Sequence, residues 1–166
     1  MIATSTLDSI SALIEPDNWV GSMANLSSQI ILEMPDLNWV GFYLWDGKVL
    51  RLGPFAGRPA CTQIPLGKGV CGTAAQTGET QVVEDVDQFP GHIVCDAASR
   101  SEIVVPLFLG SQLIGVMDVD SPKLARFGAA ERKFFEALVK TLCEQVFQTD
   151  ADLPYKAPAY RAPSSR

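Results

Sequence analysis

Two stretches constrain this chain most: NWVGFYLW (38–45) and EIVVPLFL (102–109), each dense in β-branched and aromatic residues and each doubling back through a turn dipeptide into a second such stretch. Asp46-Gly47 leads into KVLRLGPF, and Gly110-Ser111 leads into QLIGVMDVD. An Asp-Gly or Gly-Ser pair between alternating runs is the signature of a tight hairpin, because glycine supplies the positive φ that such turns need. The pattern predicts strands over about 38–45, 48–55, 102–109 and 112–120, with a further short strand over 60–64. Antiparallel pairing follows, which sets aside the parallel βαβ architectures.

Helical periodicity brackets these strands. Leu7, Ile10, Leu13 and Ile14, then Val20, Met23, Leu26 and Ile30, recur at three- and four-residue spacing on either side of Pro16, predicting helices over Thr6–Ile14 and Asp17–Met34. Phe134, Phe135, Leu138, Leu142 and Val146 give the buried stripe of a closing helix over Ala129–Phe147. A short helix is expected near Val70–Thr77, and 81–99 reads as mostly loop. The sum is an α+β domain over residues 1–152, an antiparallel sheet with N- and C-terminal helices packed to one side, followed by a Pro-rich tail over 153–166 expected to be disordered.

The chain is 166 residues long, 47% hydrophobic and only 19% charged, enough apolar material for one full core. Thirteen basic against nineteen acidic side chains leave a net charge of −6. That balance disfavours nucleic acid and anionic membrane surfaces as partners, since neither gains counterion release from an acidic protein. No apolar run reaches the roughly 18–20 residues of a membrane span and no secretory start is present, so a cytoplasmic location is expected.

In that compartment the four cysteines, Cys61, Cys71, Cys95 and Cys143, are expected to be thiols, ligands or catalysts. Cys143 lies on the closing helix and reads as a small buried hydrophobe. The other three fall between positions 61 and 95, outside the predicted long helices. With His92 they could form a Cys₃His zinc site, but the intervals lack the close cysteine pairs of structural zinc sites. Redox pairing is the better reading: two thiols distant in sequence act as attacker and resolver when the fold brings their Cα atoms to within about 7 Å. Gly67 to Gly72 matches G-x-G-x-x-G, but Pro65 precedes it and no βαβ unit surrounds it, so a tight loop is favoured over a dinucleotide site. Asp118 and Asp120 project from one strand face beside Ile114 and Val116. They either serve a site or cap the Ser121-Pro122 turn. Trp39 and Tyr43 share a face and either wall a pocket or fill a second core.

Four segments, NWVGFYLW, GPFAGRPACTQIPLGKGVCGTAA, VEDVDQFPGHIVCDAASRSEIVVPL and GVMDVDSP, together resemble the free methionine-R-sulfoxide reductases, a GAF-domain family, from about Asn38 to Phe127. The resemblance implies reduction of free methionine-R-sulfoxide with no bound cofactor or metal, electrons coming finally from thioredoxin. It implies Cys95 as the attacking thiol, Cys61 as the principal recycling thiol and Cys71 as a third of less uniform role. Glu102, Asp118 and Asp120 would bind and activate substrate, with Trp39 and Tyr43 as pocket aromatics. A homodimer is compatible with the resemblance. A non-catalytic GAF sensor of small molecules is the competing reading.

One register problem accompanies these assignments. A regular hairpin through Gly110-Ser111 sets Ile103 opposite Asp118 and turns Glu102 to the other face. An irregularity between Glu102 and Leu109, for which Pro106 is the natural place, is therefore expected if Glu102 is to join the aspartates.

Overall fold

The computed structural model describes residues 4–156. Helices α1 (Thr4–Ser11) and α2 (Trp19–Glu33) lead into strands β1 (Trp39–Trp45), β2 (Leu50–Gly57) and β3 (Gln63–Ile64); α3 (Gly69–Thr77) and β4 (Gln81–Val83) follow, then β5 (Ser101–Leu109), β6 (Gln112–Ser121) and α4 (Ala129–Val146). The six strands form one sheet in the order β3-β2-β1-β6-β5-β4, antiparallel as the hairpin pattern predicts, with β4 a short edge strand in a segment read from sequence as mostly loop. The expected tail beyond residue 156 lies outside the described residues, while Leu153 before it packs against the core.

Alternation along the central strands separates two apolar layers. Val40, Phe42 and Leu44 of β1 point with Ile103, Val105, Met117 and Val119 into a core covered by α1, α2 and α4. All five predicted stripe residues of α4 are buried there, with Val139 and Cys143 beside them. Trp39, Tyr43 and Trp45 point the other way, into a second layer closed by Val70, Cys71, Ala74 and Ala75 of α3. The helices therefore do not all pack to one side: α3, too short to show a strong periodicity, covers the opposite face.

Local chemistry moves several boundaries. The first helix ends at Ser11, and Leu13 and Ile14 follow in tighter turns, their amides donating to the carbonyls of Ile10 and Ser11. Asn18 caps α2 by accepting from the Gly21 amide at 2.8 Å, which starts the helix at Trp19 and leaves Val20 half exposed instead of in the stripe. The β1–β2 connection is four residues long, since Trp45 pairs with Leu50; Asp46 Oδ1 accepts from the amides of both Lys48 and Val49, and this side-chain turn displaces the two-residue hairpin expected from Asp-Gly.

Two bulges set the registers. On β2, Gly53 and Pro54 together oppose Phe42, so proline sits where the ladder needs no donor. On β6, Leu107 pairs with Gly115 but Phe108 with Leu113, leaving Ile114 as the extra residue. The predicted irregularity thus exists beside Leu107, but the inserted residue lies on β6, and Pro106 pairs regularly with Val116. Beyond the bulge Glu102 pairs directly with Asp120, so both face the same side. Ile114 itself is rotated into the helix-covered core, away from the face it was expected to share with Asp118.

Gly115 has a specific reason to be glycine: a Cβ there would lie 2.1 Å from the Tyr43 carbonyl oxygen. Gly110, at φ 60°, faces open space. In urea unfolding, Gly115→Ala is expected to lose about 3 kcal/mol or more through this backbone clash. Gly110→Ala should lose about 1 kcal/mol, from the left-handed conformation alone. Equal losses would contradict the tight β1–β6 approach.

Candidate active site

The second layer is incomplete at one end of the sheet, and a cavity of about 30 Å³ opens there, lined by Tyr43, Cys71, His92, Cys95, Glu102, Asp118 and Asp120 among others. It holds a water or two, far less than an amino acid. Three features of the chain build its walls.

The floor is the sheet. Trp39 pairs with Asp120 and Gly41 with Asp118 across β1–β6, while Glu102 pairs with Asp120 across β6–β5. Three carboxylates on two adjacent strands therefore share one face, with Tyr43 beside them. Glu102 and Asp118 are each 6% exposed. Gly41 opens room within this floor: a Cβ would stand 2.5 Å from the Trp39 ring, which stacks at 5.3 Å on Phe55 and 5.8 Å on Tyr43. Trp39 lies one layer behind Tyr43, its Nε1 donating to the Arg58 carbonyl. Of the two expected pocket aromatics, Tyr43 lines the cavity and Trp39 backs it.

One wall is the start of α3. Gly67 and Gly69 adopt φ of 72° and 62°, and a Cβ on Gly72 would meet the Pro65 carbonyl at 2.4 Å. These glycines fold a tight turn closed by the Gly72 carbonyl accepting from the Gly67 amide at 2.8 Å, which is the loop reading of G-x-G-x-x-G. Its consequence is to aim Cys71 inward. Cys71 is free and buried, with Sγ 3.9 Å from Glu102 Oε1.

The rim is the 91–99 segment, which carries Cys95. It is tied down at its far end by Asn38, whose Nδ2 donates to Asp96 Oδ2 and to Ser99 Oγ, both at 3.0 Å, while the Ser99 hydroxyl donates to Asp120. At its centre Cys95 is disulfide-bonded to Cys61, with Cα atoms 5.4 Å apart. Among the three sulfurs the sequence placed together, this pairing leaves Cys71 alone. It also excludes the Cys61, Cys71, His92, Cys95 zinc set in this state, because two of those ligands are bonded to each other. Cys143 stays buried in the other layer, burial pushing its thiol up to about 12.

Burial dominates the electrostatics. Asp118 is raised to about 6 by loss of solvent. Glu102 is pushed well above the usual carboxylate range by burial and then by the charges of Asp118 and Asp120, and Asp120 is raised by burial and then by Asp118. Cys71 is raised by burial, then by Asp118 and Glu102, so it is held as a thiol. His92 Nε2 stands 3.9 Å from Glu102 Oε2, and burial lowers its proton affinity, with Asp87 opposing. Burial and mutual repulsion thus favour the protonated forms of Glu102 and Asp120, while Asp118 gives up its proton just below neutral pH. His92, weighed from sequence only as a zinc ligand, and Asn38 and Ser99 were not singled out for this site; a polar Asn opening an apolar strand was the one available signal.

The GAF domain family model matches residues 22–146. The chain is 45% identical over 133 residues to the free methionine-R-sulfoxide reductase of Escherichia coli, covering 80% of this chain and 81% of that one. The chain belongs to the free methionine-R-sulfoxide reductase family of GAF domains. Among solved structures it is similar to the free methionine-R-sulfoxide reductase from Neisseria meningitidis in complex with its substrate (45% identity, TM-score 0.79, 84% of each chain covered). It is also similar to a protein described as a GAF sensor from Burkholderia vietnamiensis (53% identity, TM-score 0.82, 87% of this chain and 93% of that one). Among the described residues no helix is long and apolar enough to cross a membrane.

The raised carboxyls cost stability. A group whose proton affinity is higher in the folded state favours folding most when it is protonated. For Asp118 that contribution is complete below its unfolded value of 3.8 and is lost as pH rises through about 6. Asp118→Asn removes the titration. Urea unfolding should show the variant gaining stability over the parent between pH 4 and pH 7, by about 2–3 kcal/mol. A difference independent of pH would contradict the buried, proton-holding carboxyl.

Proposed function

We propose that this protein reduces free methionine-R-sulfoxide to methionine, with Cys95 as the attacking thiol and Cys61 as the resolving thiol, and that a dithiol protein of the thioredoxin class restores both in the cytoplasm. The observation that carries the reading is the Cys61–Cys95 bond at the mouth of a cavity floored by three buried carboxyls, all with raised proton affinity.

Substrate enters the reduced protein. With the disulfide open, the 91–99 segment is released from the β2–β3 connection and the small cavity can widen to admit an amino acid. The sulfoxide oxygen lies toward the carboxyl cluster and the ammonium toward whichever carboxylate is ionised. Tyr43, backed by Trp39, supplies the flat surface against which the S-methyl group packs. A peptide-bound methionine lacks that ammonium and carries bulk on both sides, so a closed polar pocket selects the free amino acid.

Negative neighbours raise a thiol's proton affinity and do not activate it. The site instead activates the substrate: a protonated carboxyl donates to the sulfoxide oxygen, making the sulfur electrophilic as the Cys95 sulfur attacks. The oxygen passes to the Cys95 sulfur as the S–O bond and the transient sulfur–sulfur bond break, so methionine leaves with two electrons gained and Cys95, two electrons poorer, is left as a sulfenic acid. Attack by Cys61 on that sulfur forms the disulfide and releases the oxygen as water. The bond is half exposed at the rim, within reach of an external dithiol, whose own oxidation returns the two thiols. Cys71, held as a thiol beneath Glu102, is poised to keep that carboxyl hydrogen-bonded and takes no part in the first turnover.

A sensor without chemistry would need none of these thiols. Single-turnover methionine formation from reduced protein, without added reductant, separates the readings. Cys95→Ser should abolish it; Cys61→Ser should retain one equivalent of methionine while losing multiple turnover. Undiminished single turnover in Cys95→Ser would refute the assignment of the attacker.

A further inference from the structure

The Cys71 sulfur and one oxygen each of Glu102 and Asp118 lie within 4.8 Å of one another, all three residues buried around the same cavity. Asp118 Oδ1 is buried and has no hydrogen-bond partner. His92 Nε2, 3.9 Å from the second oxygen of Glu102, borders the group from the rim. Among the described residues no lysine or arginine forms an ion pair with any of the three cavity carboxylates; Lys68 reaches the rim but is exposed. We propose that Cys71, Glu102 and Asp118, with His92 as a fourth donor, form a binding site for a thiophilic divalent cation, zinc above all, whose occupancy closes the substrate pocket.

The geometry suits such an ion. Zinc holds sulfur at about 2.3 Å and oxygen or nitrogen at about 2.0–2.2 Å, so ligands around one tetrahedral ion stand roughly 3.5 Å apart. The Cys71, Glu102 and Asp118 atoms already lie close to that spacing, while His92 must turn inward from the rim to complete the set. The cavity of about 30 Å³ has room for one ion but not for substrate. A thiolate with an imidazole selects zinc over magnesium or calcium, which prefer oxygen. The unpartnered Asp118 oxygen gains a partner, and the dication offsets charge that no protein cation offsets. Binding exchanges the Cys71 thiol proton, and any carboxyl protons, for the metal; the protons pass to solvent and no oxidation state changes. Cys71 is free in the disulfide form, so the site exists independently of Cys61 and Cys95. It is thus a different set from the four-ligand site considered from sequence.

Metal binding stands on this geometry alone, whereas competition with substrate also rests on the proposed function. The first arm uses the full-length disulfide form titrated with cobalt(II) and then zinc. One equivalent of cobalt should give a thiolate charge-transfer absorption in the near ultraviolet, abolished by zinc. Cys71→Ser should lose the band and bind zinc at least about tenfold more weakly against a chromogenic chelator. Asp118→Asn should keep the band but bind more weakly, and circular dichroism should show both variants folded. A band that survives Cys71→Ser, or no stoichiometric binding by the parent, would overturn the site. In the second arm, zinc should raise KM for free methionine-R-sulfoxide in the reduced enzyme with kcat unchanged, and the effect should shrink in Cys71→Ser. Binding without that rise would overturn pocket closure, while failure of the metal-free enzyme to turn over would count against the reductase reading instead.

Discussion

One inserted residue phases this site. Ile114, the extra residue of β6, shifts the pairing of β5 and β6 so that Glu102 meets Asp120 instead of turning to the helix-covered core. Because side chains alternate with a period of two, a single-residue slip decides which face a whole strand presents. Without the bulge, Glu102 would turn into the helix-covered layer, an uncompensated carboxyl among apolar side chains, and the cavity would lose one of its three sheet carboxyls. The strands on either side of the bulge also explain Gly115, whose missing Cβ lets β6 approach the Tyr43 carbonyl.

That arrangement concentrates three carboxyls where water is scarce, and the protein tolerates them by keeping protons on Glu102 and Asp120. The same property makes a general acid available at neutral pH, and it sets the division of labour among the sulfurs. Cys71, beside the cluster, is locked as a thiol. Cys95, on the rim and tethered through Asn38, Ser99 and Asp120, is the sulfur positioned to meet a substrate held against the acids. A pocket that activates its substrate does not need an unusually acidic thiol.

Much of this was legible in the sequence because period-two strands and tight turns leave strong marks. The four long strands, the closing helix and the shared face of Asp118 and Asp120 follow from alternation alone. The bulge was legible only as a conflict: a regular hairpin and a three-carboxyl site could not both hold. Its location was not, since Pro106 advertises an irregularity while an inserted isoleucine looks like any strand residue. The side occupied by α3 was hidden because a nine-residue helix of small residues has little amphipathic pattern. The anchoring of the rim through Asn38, Asp96 and Ser99 joins residues about sixty positions apart, beyond the reach of local reading.

The central claim is that the sulfur at position 95 and the sulfur at position 61 are the two partners of one chemical event above the acid cluster. Reduced full-length protein, given one equivalent of free methionine-R-sulfoxide, alkylated and mapped by mass spectrometry, tests it most directly. The account predicts one disulfide joining Cys61 to Cys95, with Cys71 and Cys143 carrying the alkyl label. A substrate-induced bond from Cys95 to Cys71, or four labelled cysteines after methionine has formed, would contradict it.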